Sequence, residues 1–364
     1  MKPKLKRHIS RILPFGIIFL VLGWVFLWTE FAVIYPLGNY GIEEAIKITP
    51  KIVVFASASI FCVGCFIGFI EVAIINKYFI ARSFKQKIIL KSLLYLLLIF
   101  SIVFVFYNLA AAIEMQESVF SKAVFDRYIN FLFSMTNLST MLQLSFSIVV
   151  SLLFFEINEN LGRNVLQNFF TGKYHKPILE QRVFLFIDMK DSTTIAEKLG
   201  HEVYFEFLKA YYNDLSDSII QNNGEVYQYI GDEVVISWAV KKQNTKRDAL
   251  KSFFDMKMSL TKKREWYKTH YNLYPEFKGA IHAGEVTIGE IGALKKDIFF
   301  TGDVLNTTSR LQSLCNSYQA ELLISEDVYA RVESTEGFQF TFEDEVMLRG
   351  KSKPVKIYAV TTND

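Results

Sequence analysis

Two aspartates, Asp188 and Asp232, are the side chains whose placement in this sequence first indicates chemistry. Asp188 ends the apolar run 182–187 and precedes a Ser/Thr-rich segment that is typical of a helix start. Asp232 stands at the tip of a predicted hairpin that spans 225–238. Because the strands that end at these residues can be neighbours in one sheet, we expect the two carboxylates to converge beside a helix N-terminus. That arrangement suits hard divalent cations that carry phosphates.

The segment after Asp188 offers further groups to an anion. Backbone N–H groups and the dipole at the start of the predicted helix 192–200 favour a phosphate. The hydroxyls of Ser192 and Thr193 could bind it as well, although either residue, like Asp191, could simply be a helix cap. Asp188 has no such simple explanation, because an acid at the end of an apolar strand costs free energy unless a partner compensates it.

A further group of polar residues lies nearer the C-terminus. Asn306 and Arg310 are four positions apart on a predicted helix, so they share one face. The planar guanidinium of Arg310 suits a charged phosphoryl group. Lys351 follows Arg349 and Gly350 just before the last predicted strand. An Asn–Arg face of this kind is, by itself, typical of solvated surface.

The elements that must position these residues alternate between strands and helices from about residue 176 onward. They are strand 182–187, helices 192–200 and 201–222, hairpin 225–238, helix 246–271, strands 276–282, 285–291 and 298–301, helix 304–317 and a final strand 355–360. Strands interrupted by helices, with hairpins between them, predict an α+β domain with a largely antiparallel sheet. We place this domain at 179–364.

The N-terminal part of the chain has a different character. The whole sequence is 51% hydrophobic, and long apolar runs dominate residues 1–157, which we predict to be an all-α transmembrane domain. Each of its apolar stretches is long enough to cross a bilayer as a helix. They are 12–35, 52–76, 88–113 and 128–157.

Charge indicates the orientation of these spans. Lysine and arginine concentrate at the N-terminus and in the loop between the second and third stretches. By the positive-inside rule, we expect a multi-pass protein of the inner or plasma membrane with both termini and the C-terminal domain in the cytoplasm. The formal net charge of +3 is too small to indicate a nucleic-acid partner.

Two features, one within the predicted membrane domain and one in the linker that follows it, are candidates for signalling. Glu71 is the carboxylate that lies well inside a predicted span, where an acid is either functional or hydrogen-bonded to a Ser or Asn of a neighbouring helix. Residues 158–178 form a predicted linker, and an amphipathic helix over 156–170 is expected to continue the fourth span as a stalk. Such a stalk often pairs with its copy in a second chain.

Five motifs, in this order, resemble the catalytic domain of class III adenylate and guanylate cyclases over residues 176–362. They are Phe186-Ile187-Asp188 with Thr193, Gly231-Asp232-Glu233, the glycine pattern Gly279, His282, Gly284 and Gly292, Gly302-Asp303 with Asn306 and Arg310, and Arg349-Gly350-Lys351. The resemblance is to a bacterial, membrane-anchored branch, here with four N-terminal transmembrane helices. It implies a ferredoxin-like core, with a mostly antiparallel sheet flanked by helices.

The resemblance also implies a role for each matched residue. Asp188 and Asp232 match the aspartates that hold two Mg²⁺ or Mn²⁺ ions, and the backbone carbonyl of Met189 matches an additional ligand. Asn306 matches the residue that orients the ribose, and Arg310 the one that stabilises the transition state. Two residues match substrate-binding positions, Lys351 on the triphosphate and Thr193 after the first aspartate. In this family the aspartates and the Asn/Arg pair come from different protomers, which implies a homodimer.

Three positions depart from the family pattern. Gln228 stands where a lysine usually selects adenine, and Phe299 stands where its partner is usually Asp or Thr. Guanine-selective members tend to carry Glu and Cys there, which this chain also lacks. The amide of Gln228 can donate to adenine N1 or accept from a purine amino group. Asp191 replaces a usual glycine, and its charge could weaken phosphate binding or only cap the helix.

The sequence therefore predicts a membrane-bound cyclase that converts ATP to 3′,5′-cyclic AMP and pyrophosphate as a homodimer, with regulation by the membrane domain. Two alternatives stay open. One is a guanylate cyclase, and the other is a catalytically silent nucleotide-binding or dimerisation module of a membrane receptor. A transporter is disfavoured, because the spans carry few buried charges and suggest no pathway.

Overall fold

The computed structural model describes residues 3–34, 50–79, 82–161, 168, 171–240, 245–294, 296–330, 332, 337–349, 351 and 353–363. It divides into two compact units, Leu5–Leu166 and a second one that contains Gln167–Asp364. The first unit is helical, and the second is built around one sheet.

The first unit consists of helices rich in apolar residues. Those in the described residues are α1 (Pro3–Ile34), α2 (Pro50–Ile70), α3 (Phe84–Met115), α4 (Lys122–Leu132) and α5 (Met135–Leu161). A π-helical turn at Glu71–Ile75 and a last turn at Asn76–Tyr78 continue α2. In the part of the chain that the structure describes, four segments are long and apolar enough to cross a membrane: Arg7–Thr29, Ser57–Tyr78, Phe84–Val105 and Asn137–Asn160. The predicted set of four apolar helices is confirmed.

The fourth span starts later than the predicted 128–157. Tyr128 belongs to the short helix α4, and the chain turns at Ser134 before α5 begins. The hydroxyl of Ser134 accepts a hydrogen bond from the backbone N–H of Asn137 at 3.1 Å. The side chain of Asn137 donates to the carbonyl of Leu132 at 2.9 Å. These polar contacts end one helix and begin the next. A helix boundary of this kind cannot be predicted from the length of an apolar run.

The predicted stalk helix 156–170 is described only in part. Helix α5 carries its beginning as far as Leu161. Residues 162–167, 169 and 170 lie outside the described residues. The next strand starts at Ile178.

One sheet organises the second unit. Its strands are β1 (Ile178–Met189), β2 (Glu225–Ile230), β3 (Glu233–Ala239), β4 (Phe277–Ile291), β5 (Asp297–Thr301), β6 (Leu322–Ser325), β7 (Phe338–Val346) and β8 (Val355–Thr362). Their order is β2-β3-β1-β4-β6-β8-β7, and β5 pairs with β4. Among the described strands, β4 and β6 are parallel and every other pair is antiparallel. The predicted α+β fold with a mostly antiparallel sheet is confirmed.

Helices pack on both faces of this sheet. They are α6 (Ser192–Leu199), α7 (His201–Gln221), α8 (Thr245–Lys262), α9 (Arg264–Tyr271), α10 (Asp303–Leu314) and α11 (Glu326–Tyr329). Side chains of β1 alternate between the two faces. Leu185 and Ile187 enter a core with α7 and α8, whereas Phe184 and Phe186 enter a second core with α10. By the same alternation, Asp188 belongs to the face of Phe184 and Phe186.

Strand β4 is continuous where two strands, 276–282 and 285–291, are predicted. All 12 residues of β1 pair with it in one uninterrupted antiparallel ladder. Gly284 does not mark a turn between two strands. A Cβ atom at this position would lie 2.6 Å from the side chain of Val304, so the glycine instead lets α10 approach the sheet closely.

The predicted helix 246–271 is two helices, α8 and α9. The backbone leaves the helical conformation at Lys263, where φ is −104° and ψ is 10°. The Lys263 ammonium lies 2.6 Å from one carboxylate oxygen of Asp214, and the Tyr267 hydroxyl donates to the other at 2.9 Å. Because Asp214 is in α7, these tertiary contacts fix α9 independently of helical periodicity.

A closed network of charges is buried in the helical unit. Lys91 Nζ donates to Glu71 Oε1 and to Glu156 Oε1, each at 2.6 Å. The second oxygen of Glu71 accepts from the Tyr95 hydroxyl at 2.8 Å, and that of Glu156 from Lys87 at 3.2 Å. Glu71 therefore pairs with a lysine and a tyrosine of α3, rather than with a Ser or Asn of a neighbouring helix as the structural alternative predicts. The network ties α2, α3 and α5 together.

We expect the substitution Lys91→Met to destabilise the protein by about 3–5 kcal/mol, because it leaves two buried carboxylates without their shared cation. Unfolding of the full chain in detergent measures the change. Lys85→Met removes an exposed lysine of the same helix and is the matched control. The double variant Glu71→Gln/Lys91→Met restores neutrality and should recover most of the loss. Equal stability of Lys91→Met and Lys85→Met would contradict the prediction.

Candidate active site

The ladder between β1 and β3 brings Asp188 and Asp232 together. Ile187 of β1 lies opposite Val234 of β3, so Asp188 is level with the start of β3 and the turn before it. The Asp188 and Asp232 carboxyl groups are close enough to interact directly. Burial first, and then the neighbouring Asp232, raises the pKa of Asp188 to about 6. Two acids that are forced together in this way form a site for positive charge.

One oxygen of this pair has no partner. Asp232 Oδ2 is buried and makes no hydrogen bond within the described residues. A buried carboxylate oxygen costs free energy unless it is compensated, and a divalent cation would compensate it. No group of three or more His, Cys, Asp or Glu side chains that could together hold a metal ion occurs in the described part of the chain. The pair therefore fits a cation whose remaining ligands are backbone oxygens, water or substrate.

The turn that carries Asp232 is held from helix α7. Ile230 pairs with Glu233, which leaves Gly231 and Asp232 as a two-residue turn with Gly231 at φ +64°, where glycine is favoured. The Tyr212 hydroxyl donates to the carbonyl of Gly231 at 2.7 Å. Tyr212 was not among the predicted site residues. Only the contact between α7 and the turn reveals it.

Glu233 is a third acid beside the pair. Burial first, then Asp188 and Asp232, raises its pKa to about 7. Three acids therefore lie close together at this end of the sheet.

The start of helix α6 explains one departure from the family pattern. Asp191 has φ +55°, the left-handed region in which glycine is favoured and Asp is tolerated. Its side chain makes no capping hydrogen bond, so the simple capping explanation does not hold. Thr193 is exposed in the first turn of α6. Met189 is buried in the core, so its side chain cannot be a ligand and only its carbonyl remains available.

The predicted catalytic residues Asn306 and Arg310 and the predicted substrate-binding residue Lys351 form a second group. Arg310 donates to the carbonyl of Arg349, and Lys351 forms an ion pair with Asp303 at the start of α10. Asn306 is exposed between Asp303 and Arg310 on the same helix. Within the described residues of one chain, no hydrogen bond or ion pair joins this group to Asp188 and Asp232.

Gln228 and Phe299 are both exposed side chains of the second unit. Gln228 is exposed on β2 beside a bulge. The rings of Tyr227 and Phe300 lie 4.5 Å apart, and the Phe300 N–H donates to the Tyr227 hydroxyl at 3.4 Å. Since side chains alternate along β5, Phe299 points away from Phe300 and is 46% exposed. Within the described residues of one chain, no hydrogen bond is found between Gln228 and Phe299.

His282 is a core residue of β4. Its Nδ1 atom lies 2.7 Å from the Ser325 hydroxyl, and its side chain is buried. Burial lowers the pKa of His282 to about 4. A neutral, hydrogen-bonded ring inside the sheet is a structural element rather than a proton donor to a substrate.

Residues 176–362 match the family described as the adenylate and guanylate cyclase catalytic domain. The match covers half of the chain, and the chain belongs to this family. It is similar to Adenylate cyclase 2 of Rhizobium meliloti (strain 1021), with 34% identity over 176 residues, or 48% of each chain. It is also 26% identical over 185 residues to the adenylate cyclase of Anabaena cylindrica, which covers 48% of this chain and 36% of that one. The chain thus spans about half or less of the length of these relatives.

Solved structures of cyclases resemble the second unit. The adenylyl cyclase CyaB from P. aeruginosa matches with 22% identity and a TM-score of 0.47, over 52% of this chain and 97% of that one. The guanylate cyclase domain of RhGC from Catenaria anguillulae, in complex with GTP, matches with 18% identity and a TM-score of 0.45, over 52% and 100%.

The buried His282 predicts a pH dependence of stability. Its folded pKa of about 4 lies below the ordinary 6.5, so the unfolded chain binds more protons between these values. Its contribution is therefore complete above pH 6.5 and is lost as the pH falls towards 4, by up to about 3 kcal/mol. In denaturant titrations of the full chain, His282→Asn should lack this component. The exposed His201→Asn variant should retain it, and identical pH profiles for both variants would contradict the assignment.

Proposed function

We propose that this chain is a membrane-bound nucleotidyl cyclase that converts ATP to 3′,5′-cyclic AMP and pyrophosphate as a homodimer. The observation that carries the proposal is the Asp188–Asp232 pair with its unpartnered oxygen, in a domain of the cyclase family. The relative from Rhizobium meliloti, which is named an adenylate cyclase, supports ATP as the substrate.

The aspartates and the carbonyl of Met189 would hold two Mg²⁺ or Mn²⁺ ions. Such ions lower the pKa of a ribose 3′-hydroxyl and stabilise charge at the α-phosphate during an intramolecular phosphoryl transfer. Asp188 and Asp232 supply the negative charge that binds the ions, and β1 and β3 fix the distance between the two carboxylates. We assign no nucleophile to the protein, because the attacking oxygen belongs to the substrate.

Helix α10 supplies the groups that meet the substrate. Asn306 orients the ribose, and the fork of donors on Arg310 binds the charged α-phosphoryl group as it reacts. Lys351 exchanges its carboxylate partner Asp303 for the triphosphate. Thr193 lies at the start of α6, where free N–H groups favour a phosphate.

A shared site explains why these two groups are unconnected within one chain. In a homodimer, Asp188 and Asp232 of one protomer would face Asn306 and Arg310 of the other, and two such sites would form. The four apolar helices would anchor the dimer in the plasma membrane, with both termini and the catalytic domain in the cytoplasm, as the distribution of Lys and Arg indicates. A change among the helices could then reach the active sites through the stalk.

Guanylate cyclase activity is the second candidate. It is favoured by the absence of the usual adenine-selecting lysine, which Gln228 replaces, and by Phe299 in place of Asp or Thr. The amide of Gln228 can both donate and accept, so it can serve either purine. The retention of Asp188, Asp232, Asn306 and Arg310 disfavours a catalytically silent module.

We expect Asp188→Ala and Arg310→Ala each to lower cyclic nucleotide production with Mn²⁺ by at least about 100-fold. Co-expression of these two variants should restore about a quarter of the wild-type activity, because half of the dimers would be mixed and each would contain one intact site. The matched control is co-expression of Asp188→Ala with Asp232→Ala. These variants damage the same half-site, so they should not rescue each other. No rescue in the first mixture would contradict the shared site.

Competition between ATP and GTP tests the choice of base. The wild-type protein should make mainly cyclic AMP. Gln228→Lys should increase the preference for ATP by about tenfold, and Gln228→Glu should decrease it, since a carboxylate cannot donate to adenine N1. Separation of the products of an equimolar mixture measures both. A lack of product from either nucleotide would instead indicate a silent module.

A further inference from the structure

Lys278 lies beside the aspartate pair, on the strand opposite Asp188. The two residues are cross-strand partners in the ladder between β1 and β4. Lys278 Nζ lies 3.8 Å from Asp188 Oδ2, and only 14% of the lysine side chain is exposed. A positive charge is therefore kept close to one of the two acids that would bind a cation.

The position of this charge is fixed by a second contact. Lys278 Nζ donates to Asn316 Oδ1 at 3.2 Å. Asn316 is the second residue after the end of α10, so the ammonium group is held between β1 and the segment that follows that helix. A lysine that was free to swing into water would withdraw when a metal ion arrived, but one that is tethered and mostly buried stays nearby.

Other lysines in this region are committed to different acids. Lys190, two residues after Asp188, lies 3.7 Å from Glu276 and 4.0 Å from Glu321. Lys257 forms an ion pair with Glu321. Of these three lysines, Lys278 alone forms an ion pair with the aspartate pair, which makes Lys190 a natural comparison.

We propose that Lys278 is a built-in counter-ion of Asp188 that weakens the binding of divalent cations to the Asp188–Asp232 pair. Without a metal ion, the ammonium offsets the repulsion between two carboxylates that the sheet holds together. With a metal ion, the same ammonium repels it through a mostly buried space, where solvent screens poorly. Lys278 is thus a positioning and tuning residue for the metal site, and this inference rests on the proposed function.

The test measures metal binding without turnover. Mn²⁺ is titrated into the full chain in detergent without nucleotide, and free Mn²⁺ is followed by electron paramagnetic resonance. The pH is 8, so that protons do not compete for the carboxylates. We expect Lys278→Met to bind Mn²⁺ about tenfold more tightly than the wild type. Lys278→Arg keeps the charge and should bind as the wild type does.

Two controls separate the possible outcomes. Lys190→Met removes a nearby charge with other partners, and it should leave the Mn²⁺ affinity unchanged. Asp188→Asn should abolish binding if the proposed metal site is correct; unchanged binding in that variant would overturn the proposed function. Loss of binding in Asp188→Asn together with wild-type affinity in Lys278→Met would overturn only the role of Lys278. Lys278→Gln, which keeps a hydrogen bond donor for Asn316, replaces Lys278→Met if that variant does not fold.

Discussion

Repulsion between two half-buried carboxyl groups is the constraint around which the cyclase domain is built. The Asp188 and Asp232 carboxyl groups lie close together because β1 and β3 are neighbours, and partial burial strengthens the repulsion between them. Neither residue can retreat. Asp188 lies near the end of strand β1, directly after residues that are buried on both faces, and Asp232 follows Gly231, whose carbonyl accepts a hydrogen bond from Tyr212. Because the sheet is rigid, the two carboxyl groups cannot move apart, and a positive charge beside them would be stabilising.

The two cores of the domain serve this site differently. The core beneath α7 and α8 holds β1 and β3 in register and includes most of the large buried side chains of the domain. The smaller core on the other face seats α10, the helix that carries Asn306 and Arg310. Gly284 permits that helix to lie close to β4. One face therefore fixes the acids, while the other fixes the groups proposed to meet the substrate.

Local patterns in the sequence predicted the helices and strands, but they did not predict the contacts between elements that are distant in sequence. The apolar run into Asp188 and the turn at Gly231 were sufficient to predict β1 and the hairpin, because their signals lie within a few residues. The break at Lys263 depends on Asp214 in another helix, and the continuity of β4 depends on pairing with β1. Lys278 and Tyr212 were missed for the same reason, since their relation to the aspartates depends on strand register and helix packing.

The buried charges of the two units differ in one decisive respect. In the helical unit, both oxygens of Glu71 and both oxygens of Glu156 have donors, from Lys91, Tyr95 and Lys87. In this network every carboxylate oxygen has a donor and the charges balance. The network therefore holds helices together without requiring a ligand. In the cyclase domain, Asp232 Oδ2 has no donor in the described residues, and Lys278 forms an ion pair with Asp188 but not with Asp232. Incomplete compensation, rather than burial or charge alone, distinguishes the acids that are proposed to bind a cation from those that only stabilise the fold.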